Sequence, residues 1–125
     1  MLILVVEPDK VPYPKEINGT LEEMQQIVGG YIQAMFPFPD EVALICNEEG
    51  KIQGLPLNRP LKDEDGRTYD IVAGTFLLCG APSGSDSFTG LTQEQVAEYE
   101  RWFHSPQVFL HTEGYLICVP LELSQ

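Results

Sequence analysis

The stretch Tyr69-Asp70-Ile71-Val72-Ala73-Gly74-Thr75-Phe76-Leu77-Leu78-Cys79 is the most hydrophobic in the chain, and its reading decides the fold. Residues 71–78 form a β-branched, almost unbroken apolar run, the pattern of a strand covered on both faces. Gly74 stands at the middle, so the run is expected to be one central strand with a bulge or a close backbone approach there. Working outward, Leu2-Ile3-Leu4-Val5-Val6, closed by Pro8, reads as a second buried strand. Further strands are expected over residues 31–36 and 41–47. After the turn Asn47-Glu48-Glu49-Gly50, Lys51-Ile52-Gln53-Gly54 reads as the short return strand of a hairpin. Val11-Pro12-Tyr13-Pro14 is extended, because each proline pushes its predecessor away from the helical region, and a short strand follows over 15–18. Residues 55–65, broken by Pro56 and Pro60, are expected to be irregular, and 80–90 a loop. Residues 108–111 and 115–119 form a terminal hairpin turning at Glu113-Gly114.

Two segments carry helix signals. Thr20-Leu21-Glu22-Glu23 is a capping box, in which the threonine hydroxyl and the third-turn-position glutamate satisfy each other's backbone amides. Leu21, Met24, Ile27 and Val28 share one face, and Gly29-Gly30 stops the helix. Thr92-Gln93-Glu94-Gln95 is a second box, leading into Val96, Tyr99 and Phe103 on one face with Trp102 at its edge; Pro106 ends it. The order lacks strict strand–helix–strand alternation and its connections are short. The expected class is therefore α+β, a mostly antiparallel sheet packed by two amphipathic helices, in a single domain over residues 1–125.

Composition narrows the function. Of 125 residues, 19 are Asp or Glu and only 7 are Lys or Arg, giving a net charge of -12 and a pI near 4.3. Such a chain is ill suited to bind the phosphate backbone of a nucleic acid directly. The three cysteines, Cys46, Cys79 and Cys118, each end an apolar run, which is how free buried thiols in a reducing cytoplasm behave. The apolar N-terminus lacks a basic flank and a small-residue cleavage site, so it does not read as a signal peptide. No apolar run approaches the ~18 residues that would span a membrane.

No nucleophile elbow, P-loop, dinucleotide fingerprint or paired-cysteine metal motif is present, and no catalytic residue, metal or cofactor is assigned. His104 falls at the end of the second helix, where an imidazole suits the dipole. His111 with Glu113 offers two ligands, too few for zinc. Asp63-Glu64-Asp65-Gly66 resembles the middle of a calcium loop, but Leu61 and Val72 then occupy positions that need oxygen ligands, so a solvated acidic turn is expected. The candidate site is Asn58, Arg59, Arg67 and Tyr69. Two of the three arginines flank one segment of a base-poor chain, and a planar guanidinium suits phosphate or carboxylate. The competing readings are that the arginines pair with acids such as Asp63 or Asp65, and that Asn58 satisfies its own loop.

The chain also resembles a known family. The likeness rests on Leu4-Val5-Val6-Glu7-Pro8, Gly19-Thr20-Leu21-Glu22, Ile27-Val28-Gly29-Gly30-Tyr31-Ile32 and Cys46-Asn47-Glu48-Glu49-Gly50-Lys51. It continues through Gly54-Leu55-Pro56-Leu57-Asn58-Arg59, Tyr69-Asp70-Ile71-Val72-Ala73-Gly74-Thr75-Phe76 and Cys79-Gly80-Ala81-Pro82. These are similar to the domain-of-unknown-function family three-eight-four-six of bacterial mobile elements, plasmids and phages. The resemblance implies a cytoplasmic accessory protein of a mobile element, with no established site to carry over. The leading expectation is a non-enzymatic protein that binds a host or element-encoded protein, in a counter-defence setting. The alternatives are a binder or sponge of a small nucleotide-like anion, and an acidic DNA mimic with antirestriction activity. A homodimer through exposed edge strands or Phe36-Pro37-Phe38-Pro39 is compatible with each.

Overall fold

A computed structural model describes residues 1–121. Among them the chain runs β1 (Leu2–Val6), β2 (Tyr13–Glu16), α1 (Leu21–Val28), β3 (Ile32–Met35), β4 (Val42–Asn47), β5 (Leu57–Lys62), β6 (Thr68–Ala73), β7 (Phe76–Gly80), α2 (Gln93–Trp102), β8 (Gln107–Thr112) and β9 (Tyr115–Pro120). The class is α+β. A five-stranded antiparallel sheet has the order β2-β1-β7-β4-β3, and β5-β6 and β8-β9 form two-stranded sheets of their own.

The three central strands are apolar throughout because both faces of the sheet are covered. On one face Ile3, Val5, Ala43, Ile45, Leu77 and Cys79 meet Met24 and Val28 of α1. On the other, Leu4, Val6, Val42, Leu44, Phe76 and Leu78 meet Leu61 of β5, Val72 of β6, and Val96, Tyr99 and Phe103 from the α2 side. Strand alternation thus divides each run between two cores. The outer strand β2, Tyr13-Pro14-Lys15-Glu16, is exposed throughout, and its proline and lysine discourage another strand from joining the edge.

Both helices begin as their sequences predict. Thr20 Oγ1 accepts from the Glu23 amide at 3.2 Å while a Glu23 carboxylate oxygen accepts from the Thr20 amide at 3.2 Å. The Thr92–Gln95 pair repeats the arrangement at 3.1 and 2.9 Å. Such caps contribute about 1 kcal/mol each by satisfying amides that have no partner within the helix.

Five local expectations are corrected. Residues 71–78 are two strands rather than one, because the chain turns at Gly74. That residue has φ +83° and donates its N–H to the Pro56 carbonyl at 2.7 Å. A Cβ there would also sit 2.7 Å from Leu55 Cδ1, so both conformation and space call for glycine. The break releases β6 from the main sheet to pair with β5, and β5 itself replaces the irregular segment expected before residue 63. Pro60 is tolerated there because the pair is a bulged two-stranded ribbon, not a strand within a larger sheet. Residues 51–54 are a turn, not a return strand, since both edges of β4 are already taken by β3 and β7. The short strand expected over 15–18 starts and ends earlier, as β2. Of the three free cysteines, Cys46 and Cys79 are buried, whereas Cys118 on β9 is only half-buried and lies outside both cores.

Burial pushes the Cys79 thiol and the Tyr99 hydroxyl each up to about 12, from ordinary values of 9.0 and 10.0. An unfolded chain would release these protons above pH 9 while the native one retains them, so stability falls as pH rises from about 9 toward 12. Calorimetry should therefore record a falling melting temperature on this limb. The fall should be shallower in Cys79→Ala, each protein being referred to its own value at pH 7; identical slopes would remove Cys79 from the account.

Candidate partner-binding cleft

The four residues singled out in the sequence divide into two pairs. Asn58 and Arg59 are each only 1% exposed. The Asn58 amide nitrogen donates to the Val6 carbonyl at 2.9 Å and the Gly74 carbonyl at 2.8 Å. Arg59 donates Nε to the Phe103 carbonyl at 3.0 Å, Nη1 to Asn58 Oδ1 at 2.8 Å and Nη2 to the Lys10 carbonyl at 2.6 Å. The pair joins β5 to the end of β1, the β1–β2 connection and the C-terminal end of α2. Burial lowers the Arg59 guanidinium to about 10, partly opposed by the charge of Asp9, so it stays positive at neutral pH. Among the described residues it forms no carboxylate ion pair; backbone carbonyls and the Asn58 side chain take its place.

Arg67 and Tyr69 are exposed and stand apart from that pair. Arg67 closes the β5–β6 turn through its backbone, its N–H reaching Asp63 Oδ1 at 2.9 Å and its carbonyl accepting from the Asp63 amide at 2.9 Å. The same Asp63 oxygen accepts from the Asp65 amide at 2.9 Å, and Gly66 takes φ +78°. The acidic stretch is thus a fixed turn, and its three carboxylates form no ion pair among the described residues.

Tyr69 opens onto a cleft of about 730 Å³. One wall is Phe36-Pro37-Phe38-Pro39, between β3 and β4. The acidic turn Asp63-Glu64-Asp65 with Lys62 also lines it, as does Trp102. Phe36, Tyr69 and Trp102 stand 64%, 54% and 51% exposed. Phe38 beneath them is buried and fixes the floor, its ring 4.7 Å from Tyr99, 5.3 Å from Trp102 and 6.0 Å from Phe103, with the last two edge-on. Asp40 anchors the wall to α2 by accepting from the Gln95 side chain at 3.0 Å. Sequence reasoning found these parts separately: the Phe-Pro repeat as a pairing surface, Trp102 at a helix edge, the acids as a solvated turn. No local pattern states that β6 carries Tyr69 to meet them.

Other clefts hold less promise for ligand chemistry. The one between β4 and β6 contains Lys51 and Asp70, which neutralise each other in a direct ion pair. Burial raises the Cys46 and Cys79 thiols, which keeps them protonated and poorly nucleophilic. Among the described residues, no three His, Cys, Asp or Glu side chains converge as a metal site, and no helix is long and apolar enough to cross a membrane.

Residues 1–104 match the family described as a domain of unknown function, DUF3846, and the chain belongs to that family. The match ends before β8. Neither a curated protein nor a solved structure matches the chain.

Stability measurements separate the two pairs of residues. Asn58→Ala takes a donor from two buried carbonyls and should cost about 2–4 kcal/mol in urea unfolding. Arg59→Met should cost about 3 kcal/mol by stripping the α2 terminus and the β1–β2 connection of their donor. Arg67→Ala, at an exposed site, should fall within about 0.5 kcal/mol of the parent. Equal losses at all three positions would contradict this division.

Proposed function

We propose that the chain is a non-enzymatic binding protein that captures an extended, basic segment of a partner protein in the Phe36–Tyr69–Trp102 cleft. The observation that carries this reading is three half-exposed aromatic rings on a fixed floor, bordered by the unpaired carboxylates of Asp63, Glu64 and Asp65. A soluble chain gains nothing in stability from large aromatic rings left in water. A partner covering them would remove on the order of 300 Å² of apolar surface, worth about 7 kcal/mol before the costs of association. Aromatic faces also attract lysine and arginine side chains, and the adjacent carboxylates give the same preference at longer range. Proline on both sides of Phe38 restricts the backbone of the wall and keeps it pre-organised, which limits the entropy lost on binding.

The family resemblance suggests the setting: an accessory protein of a bacterial mobile element, acting in the cytoplasm on a host or element-encoded protein. In the alternative reading as a binder of small anions, Asn58 and Arg59 are engaged within the fold, so recognition would fall to Arg67 and Tyr69.

Trp102 is the single tryptophan of the chain, so its emission reports on the cleft directly. Titration with lysine- and arginine-rich, proline-containing peptides should shift that emission, with affinity falling roughly tenfold between low and moderate salt. Glu64→Gln combined with Asp65→Asn should weaken the response, and Tyr69→Ser should weaken it further at every salt concentration. A partner recovered from host extract and retained equally by Phe36→Ser and Tyr69→Ser would assign binding to another surface.

A further inference from the structure

The β8–β9 hairpin carries a second exposed surface of different chemistry. Its register opposes Val108 to Val119, Leu110 to Ile117 and Thr112 to Tyr115, and opposed residues share a face. The outer face is therefore Val108, Leu110, Thr112, Tyr115, Ile117 and Val119. The inner face includes Phe109 and Cys118, both half-buried on the side where β8 runs against β5. On the outer face the five large apolar side chains are 40–74% exposed, and no part of the chain covers them among the described residues. No residue of the hairpin enters either core cluster. The hairpin also follows the end of the family match at residue 104, so it is an addition to a domain that closes its cores without it.

We propose that this outer face is an interface between two copies of the chain, stacked face to face about a two-fold axis. Charge selects the occupant. Of the nineteen carboxylates only Glu113, in the turn, lies between residues 107 and 121, and that segment has no lysine or arginine. Two molecules of charge -12 repel wherever their acidic surfaces face each other, and across the hairpin they can touch with a single carboxylate per copy, Glu113, nearby. A basic partner gains no electrostatic attraction from a neutral face; the acidic cleft offers it that attraction instead. The shape also suits a copy of itself. An isolated two-stranded hairpin is marginal in water, whereas two such layers of Val, Leu and Ile stacked at ~10 Å cover each other. A two-fold contact is self-complementary and closes at two copies. The five side chains offer on the order of 400 Å² per copy, about 800 Å² over both copies, below the usual total of ~1,200–2,000 Å² for a stable complex, so the dimer forms at micromolar rather than nanomolar concentration.

Sedimentation and native mass spectrometry of the whole chain from about 1 to 200 µM test this independently of the cleft. The parent should pass from monomer to dimer across that range, and Leu110→Lys combined with Ile117→Lys should weaken association at least thirtyfold. Tyr31→Lys, at an exposed position just before β3 and outside the hairpin, should leave association unchanged. Hydrogen exchange guards against misfolding of the double variant: in the parent, amides 107–120 should exchange more slowly at 200 µM than at 5 µM. A parent that stays monomeric at 200 µM overturns the proposal. So does concentration-independent exchange in the hairpin, or a dimer that survives the two lysines but is lost in Phe36→Ser.

Discussion

The buried Asn58–Arg59 pair is the contact on which the second layer of this protein depends. The main sheet can align its strands through backbone hydrogen bonds, but β5-β6 shares no ladder with it. Asn58 supplies the polar link, binding the carbonyl at the end of β1 and the carbonyl of Gly74, where the chain leaves one sheet for the other. Arg59 extends the link to the Phe103 carbonyl at the end of α2. Removing a guanidinium from water costs several kcal/mol, so the arrangement stands only because oxygens surround it. The helix end also uses it: without Arg59 the Phe103 carbonyl would lose its buried donor.

This constraint reaches the cleft through adjacent residues. Phe103, whose carbonyl Arg59 holds, packs edge-on against both Phe38 and Phe76. Its neighbour Trp102 therefore projects from a fixed helix end, not from a fraying one. On the other side, β5 carries Arg59 inward and Lys62 toward the cleft three residues later, and the acidic turn follows at once. One strand thus ties the layer to the core and sets the position of the cleft wall. Exposed aromatic side chains at the end of a rigid layer are pre-organised for binding, whereas the same side chains on a free loop would lose entropy on capture.

Where local chemistry dominates, the structure was legible in the sequence. Each capping box joins residues three apart, and both helices start where those boxes lie. The runs of β1 and β4 needed only their continuous apolar character. The failures share a cause in long-range geometry. Gly74 allowed either a bulge or a turn, and Leu55 and Pro56, eighteen or more residues earlier, decide for the turn. Pro56 and Pro60 disguised β5, because strand propensity does not foresee a bulged ribbon whose partner follows a five-residue turn. Arg59 looked like a ligand group since arginine is rarely buried, and only the convergence of Lys10, Asn58 and Phe103 reveals its structural use. The cleft draws on residues 36–39, 62–65, 69 and 102, which no sequence period brings together.

The acidity also acquires a physical meaning once it is placed on the fold. The carboxylates are spread over the body, so like charges keep copies of that body apart in solution. Against this background, two surfaces differ in kind. The cleft couples aromatic rings with unpaired carboxylates, and burying it against a neutral or acidic partner would leave those charges desolvated without compensation. The outer face of the hairpin couples β-branched and aromatic side chains with no charge, so covering it incurs no such penalty. A basic segment at the hairpin would have to shed its own water for no opposing charge, and an apolar one at the cleft would bury carboxylates. The electrostatic cost of each wrong pairing separates the two surfaces, and repulsion between the bodies disfavours self-association through any face that carries more charge than the hairpin.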